Sequence, residues 1–177
     1  MKVFAIEYWA LWIACGLLLV SCLINLHNRR MPVPNWLSLP SILSGWIASL
    51  TLVNSSILPS ADGGLLSSFV ATIISLLSLL PLYAIGGLGA GSVKMQMGFG
   101  AWAGCALPLG KATLLIGVAG VVCIAIIFVL AVLLAPAKPG NLQAEEVRPR
   151  VHLIPAQPVL AAGSIGTTIA LSIMGLL

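Results

Sequence analysis

The sequence predicts an all-α, polytopic integral membrane protein, and three observations carry that prediction. Of the 177 residues, 60% are hydrophobic and only 7% are charged, where a soluble domain carries about a quarter charged residues. The apolar residues fall in runs of about 20, the length that crosses a bilayer core as a helix. The basic residues sit in the short breaks between runs, where they set orientation. Mean hydropathy is +1.14, and the length suits one domain over 1–177, a bundle of about six transmembrane helices. A net charge of +4 distributed in this way does not indicate a nucleic-acid partner.

The first span runs from Tyr8 to Leu26, with Trp9 and Trp12 as interfacial anchors. Its end, Leu19-Val20-Ser21-Cys22, looks like a lipoprotein cleavage box. Only Lys2 precedes the run, offset by Glu7, while Arg29 and Arg30 follow it. Basic charge after a first span holds that side in the cytoplasm, which argues against export and against lipidation of Cys22. Residues 25–40 form a polar break in which Pro32 and Pro34 bar a helix. Asn35 is placed to cap a second span that begins near Trp36 and ends near Val53. A loop with Asn54, Pro59 and Asp62 leads to a third span, Leu65 to Ile85.

The stretch Gly86-Gly87-Leu88-Gly89-Ala90-Gly91-Ser92-Val93-Lys94 comes next. It reads as an unwound hinge, since each glycine inside a helix costs about 1 kcal/mol against alanine. Glycine at membrane depth also frees irregular backbone to line a cavity; a tight turn between packed helices is the plainer account. A short fourth span from Met95 to Leu109, a turn at Gly110-Lys111 and a fifth span, Ala112 to Leu134, follow. Residues 136–150 are the one long polar loop. A last span from about Leu153 to Leu177 opens with Pro155 and Pro158.

With the N-terminus outside, Arg29, Arg30, Lys94, Lys138, Arg148 and Arg150 all fall on the cytoplasmic side, against Lys2 and Lys111 on the other. Both termini are therefore predicted out. That orientation gathers the break after the first span, the glycine stretch and the long loop on one face. The four cysteines, Cys15, Cys22, Cys105 and Cys123, lie inside apolar runs with no C-x-x-C spacing, so they read as small hydrophobes and no cofactor is indicated. His27 and His152 lack companions at metal-ligand spacing. Gln96, Trp46 and Trp102 read as packing or interface residues.

Three segments carry a resemblance. Asn25, then Arg29-Arg30, a hydrophobic residue, and Pro34-Asn35-Trp36-Leu37 resemble the first motif of the prepilin peptidases. Gly89-Ala90-Gly91-Ser92-Val93-Lys94 resembles their second motif, Gly-x-Gly-Asp-x-Lys. His152 to Gly163, with Ile154-Pro155 and Pro158, is similar to their closing segment. The matches fall in the family's order and cover nearly the whole chain, in the short form that lacks the N-methyltransferase portion. The resemblance implies a protein of the bacterial inner membrane whose relatives remove leaders from type IV prepilins and pseudopilins with two aspartates. One carboxylate activates a water while the other, still protonated, donates to the scissile bond. The positions carried over as motif and substrate groove are Arg29, Arg30, Pro34, Asn35, Gly89, Gly91 and Lys94.

Both decisive positions depart from that pattern. Asn25 and Ser92 stand where the two aspartates belong, and the only acidic residues, Glu7, Asp62, Glu145 and Glu146, lie in neither motif. An amide neither takes nor gives a proton near neutral pH, and a serine hydroxyl is a poor base. Groups that act as a unit are lost as a unit, so hydrolysis should be abolished. The expected protein is a membrane-embedded pseudoenzyme contacting lipid and binding the N-terminal helix of a prepilin or pseudopilin. The alternative is an active aspartic-type endopeptidase with catalytic groups elsewhere, such as Glu145 or Glu146 reaching in from the loop. A Ser92–Lys94 hydrolytic pair is disfavoured because residues two apart do not face each other on a helix, although an unwound hinge relaxes that objection. A small transporter is disfavoured because no inverted repeat is evident.

Overall fold

The computed structural model describes residues 9–27, 35–54, 64–84, 88–133 and 156–177, and these form six α-helices. They are α1 (Trp9–His27), α2 (Asn35–Asn54), α3 (Leu65–Ala84), α4 (Ala90–Ala106), α5 (Leu109–Leu133) and α6 (Ala156–Ile173). Among the described residues three segments are long and apolar enough to cross a membrane: α1, α3 and Leu109–Leu130 of α5. The stretch Gln157–Ile173 is a shorter apolar helix.

Two junctions differ from the sequence expectation. The glycine stretch is not unwound as far as Lys94, because α4 already begins at Ala90. Gly89 is extended (φ −78°, ψ 150°), and its carbonyl accepts from the N–H groups of Ser92 and Val93 at 3.0 and 3.3 Å. The second difference lies between α4 and α5. The chain turns at Leu107-Pro108, so Gly110 and Lys111 belong to the first turn of α5. The physical cause is Pro108, which pushes the residue before it out of the helical region. Leu107 is accordingly extended (φ −122°, ψ 148°), and Ala112 N–H bonds Pro108 O at 2.9 Å. The last helix also stops short of Leu177. Gly175 takes φ +68°, and Leu176 N–H closes back on Leu171 O at 3.0 Å, the bond of a Schellman-type end.

The central helix is α4, which touches α1, α2, α3, α5 and α6. From Gly98 to Ala106 every residue is buried. Its glycines let backbones close in where side chains would hold them apart. A Cβ on Gly104 would lie 2.5 Å from Ser67 O and Ser68 Cα, and one on Gly100 would lie 2.7 Å from Ala71 O. Serines fill the remaining space and bond across the contact: Ser68 Oγ donates to Ala101 O at 2.6 Å and Ser67 Oγ to Leu107 O at 3.1 Å. Trp46 and Trp102 do not meet. Trp46 packs on Phe69 and donates to Thr72 Oγ1 at 3.2 Å, while Trp102 takes the edge of Trp9.

Two buried clusters fix the topology. One joins the beginnings of α1 and α5 to the ends of α4 and α6, through Leu11, Leu115, Leu107 and Leu171. The other joins the ends of α3 and α5 to the beginnings of α4 and α6, through Leu82, Ile127, Val93 and Val159. Asn35 meets Lys94 and Gly45 meets Ala101, so α2 runs parallel to α4. The helices thus alternate up and down, with α2, α4 and α6 starting at one end. Polarity is inverted relative to a water-soluble bundle. Ser21, Ser68, Ser75, Gln96, Gln157 and Ser164 are inside, whereas Leu23, Leu66, Val121 and Phe128 are more than 60% exposed. That arrangement is consistent with a helical membrane protein.

Candidate functional site

The end where α2 and α4 begin brings together two segments that the sequence singles out. Asn35 opens α2 and Lys94 lies one turn into α4. The parallel packing of the two helices sets Lys94 Nζ 2.9 Å from Asn35 Oδ1, to which it donates. Residues 59 apart in sequence are joined by that bond. Ser92 sits in the first turn of α4 and is only 8% exposed. Among the described residues its hydroxyl has no hydrogen-bond partner. Because α4 is helical here, Ser92 and Lys94 project to different sides, and Lys94 is turned to Asn35 rather than to Ser92. The hydrolytic pair is not assembled. Gly91 is buried in the same turn, whereas Gly89 is exposed, with nothing within 4 Å of where a Cβ would stand.

Asn25 lies half-buried in the last turn of α1, at this same end of the bundle. One turn before it, Ser21 donates to Leu18 O at 2.8 Å and accepts from the amide of Gln157, on α6. Gln157 Oε1 is buried without a partner among the described residues. One turn after Ser92, Gln96 is 1% exposed and its amide donates to Ser164 Oγ at 3.0 Å. A polar seam therefore runs between α1, α4 and α6, built from amides and hydroxyls. In the sequence Gln96 reads as packing, Ser21 stands out only within the Leu19–Cys22 box, and Gln157 and Ser164 do not stand out. The available signal was a glutamine inside an apolar run, since such a group at membrane depth demands a partner.

Arg29, Arg30, Pro34 and His152 lie outside the described residues, as do all four carboxylates, Glu7, Asp62, Glu145 and Glu146. What the described part of the site offers is donors: the Lys94 ammonium, the Ser92 hydroxyl and the N–H groups at the start of α4. It holds no carboxyl group to relay a proton. The cysteines are free thiols, three of them buried. Among the described residues no three of His, Cys, Asp and Glu converge on a metal position. A cavity of about 210 Å³ between α1 and α6, lined by Trp12, Cys15, Thr168 and Ser172 among others, includes no motif residue. No protein-family model, curated protein or solved structure matches the chain.

Proposed function

We propose that this chain is a six-span protein of the bacterial inner membrane, with both termini outside, that follows the prepilin-peptidase pattern without its catalytic carboxylates. It holds prepilin-like helices and does not cut them. The observation that supports this reading is the Asn35–Lys94 contact. Two segments that resemble separate motifs of one family meet at one end of the bundle, as parts of one site must. Ser92, in place of an aspartate, is buried beside them, and Asn25 lies at the same end. A site rich in donors and amides, with no carboxyl among its described residues, suits binding and not proton transfer.

The test is co-expression with a candidate prepilin in cells that lack any other prepilin peptidase. The chain should co-purify with the uncleaved prepilin. Leader cleavage should appear only when Asn25→Asp and Ser92→Asp are introduced together. If the unmodified chain removes the leader, and Glu145→Gln or Ser92→Ala stops it, the binding-only reading fails and the endopeptidase takes its place.

A further inference from the structure

We propose that the cavity between α1 and α6 binds the head ring of a membrane-dissolved quinone, which enters from the lipid side. The cavity has about 210 Å³ and is built from two short stretches, Leu11–Cys15 and Thr168–Ile173. Its floor is buried: Leu11, Cys15 and Thr168 are at most 8% exposed. Its mouth is open, with Trp12 60% and Ile173 81% exposed. On a bundle whose outside is apolar that mouth faces hydrocarbon, so what fills the cavity arrives through the bilayer. Two polar groups on the wall are left to bond it. The hydroxyls of Thr167 and Thr168 close back on Gly163 O and Ser164 O at 2.6 and 2.8 Å. Ser172 Oγ and Trp12 Nε1, by contrast, donate to no described residue. The cavity therefore offers hydrogen-bond donors to a ligand that accepts.

Size and lining select the ligand. A dry apolar cavity of about 150 Å³ holds one benzene, so this one admits a substituted single ring. Other occupants fit less well. The rise of an α-helix makes each wall about 6–8 Å long, whereas a helix with its side chains is about 10–12 Å across. Neither a second copy nor a peptide helix seats in so short a recess. An alkyl chain would fill it but leave Ser172 and Trp12 without an acceptor. Water would need about seven molecules at ~30 Å³ each, more than the few polar groups of the wall can hold. A quinone ring meets each condition: it is flat, its edge carries carbonyl acceptors, and its apolar tail stays in the lipid. The ring stacks offset on the Trp12 indole, the Cys15 sulfur lies at its edge, and Ser172 donates to a carbonyl. These residues supply binding, not electron transfer. The cavity and its donors stand on the described residues alone. Entry through the bilayer rests on the membrane reading given above.

The experiment uses the full chain purified in a neutral detergent and compares two probes of one shape. Duroquinone is the fully methylated benzoquinone, and durene is the same methylated ring without the carbonyls. Every ring carbon of duroquinone is substituted, which blocks addition of the cysteine thiols. Affinity is read from the rise in unfolding temperature with probe concentration. Duroquinone should bind about tenfold more tightly than durene, the scale of one net hydrogen bond. Ser172→Ala should remove most of that preference, and Ser172→Thr should keep it. Cys15→Phe, which fills the floor, should abolish binding of both probes. Helical circular dichroism and a single elution peak establish folding, and Ser172→Ala carries the test if Cys15→Phe does not fold. Equal affinity for the two probes, or a preference that Ser172→Ala leaves intact, overturns the proposal. So does binding that emerges only when residues 2–7 are removed, which would make the chain's own N-terminus the occupant. A co-purifying phospholipid that neither probe displaces would make an acyl chain the occupant and also overturns it. Failure of the membrane reading shows separately, as a chain that stays soluble without detergent while still binding the ring.

Discussion

Gly104 and Gly117 are both helical glycines, yet their surroundings give them opposite expected responses to a side chain. At Gly104 a Cβ would collide with the backbone of Ser67 and Ser68 at 2.5 Å, and backbone cannot step aside. Gly104→Val should destabilise the protein by about 1–3 kcal/mol, the range for overpacking, as read from denaturant unfolding in detergent. At Gly117 nothing lies within 4 Å. There Gly117→Ala should be neutral or stabilising by up to about 1 kcal/mol, because only the entropic penalty of glycine is removed. The Gln96–Ser164 pair makes a second residue-scale prediction. A double-mutant cycle of Gln96→Leu and Ser164→Ala should give a coupling of about 0.6 kcal/mol and no more than about 1.7, the span measured for buried interhelical hydrogen bonds. An additive cycle would mean that the 3.0 Å contact does not contribute.

At the scale of the element, α4 stands apart from its neighbours. It is 17 residues long, with four glycines, a lysine and a glutamine, and it is not among the segments apolar enough to cross a membrane alone. Its helix forms because it is enclosed by other helices, not because of its own composition. Placed by itself between hydrophilic flanks in an insertion assay, Ala90–Ala106 should stay out of the membrane. Leu109–Leu130, with a mean hydropathy of 3.0, should insert. The same contrast sets which elements were legible beforehand. The first and third helices, carried on unbroken apolar runs, fell within about one residue of expectation. The glycine stretch misled, since the local penalty of glycine in a helix says nothing about serines on two other helices that require a close approach. The turn at Leu107-Pro108 was missed for a different reason: Gly110-Lys111 looked like the break, while the proline two residues earlier controls the backbone.

For the whole molecule, the up-down order puts Lys94 beside the start of α2 and Lys111 Nζ on the carbonyl oxygen of Leu177, at the opposite end. Lys94→Cys and Lys111→Cys, each in a background lacking the native cysteines, should therefore react with impermeant thiol reagents from opposite sides of the membrane. Labelling of both from one side would refute the six-span arrangement and its orientation. The candidate site was legible in part. Asn35 and Lys94 were chosen from motif spacing, and the fold brings them into contact. The seam of Ser21, Gln157, Gln96 and Ser164 was not, because hydroxyls and amides scattered over three apolar runs carry no spacing signal until the helices meet.

The sequence alone determined that the chain is helical and where most helices begin and end. Hydropathy and proline act over one helix length, so these features need no knowledge of partners. The tertiary structure decided that the glycines of α4 serve close packing, and that Lys94 of α4 meets Asn35 of α2. Those outcomes depend on which surfaces face each other, and that information is shared among helices far apart in the chain.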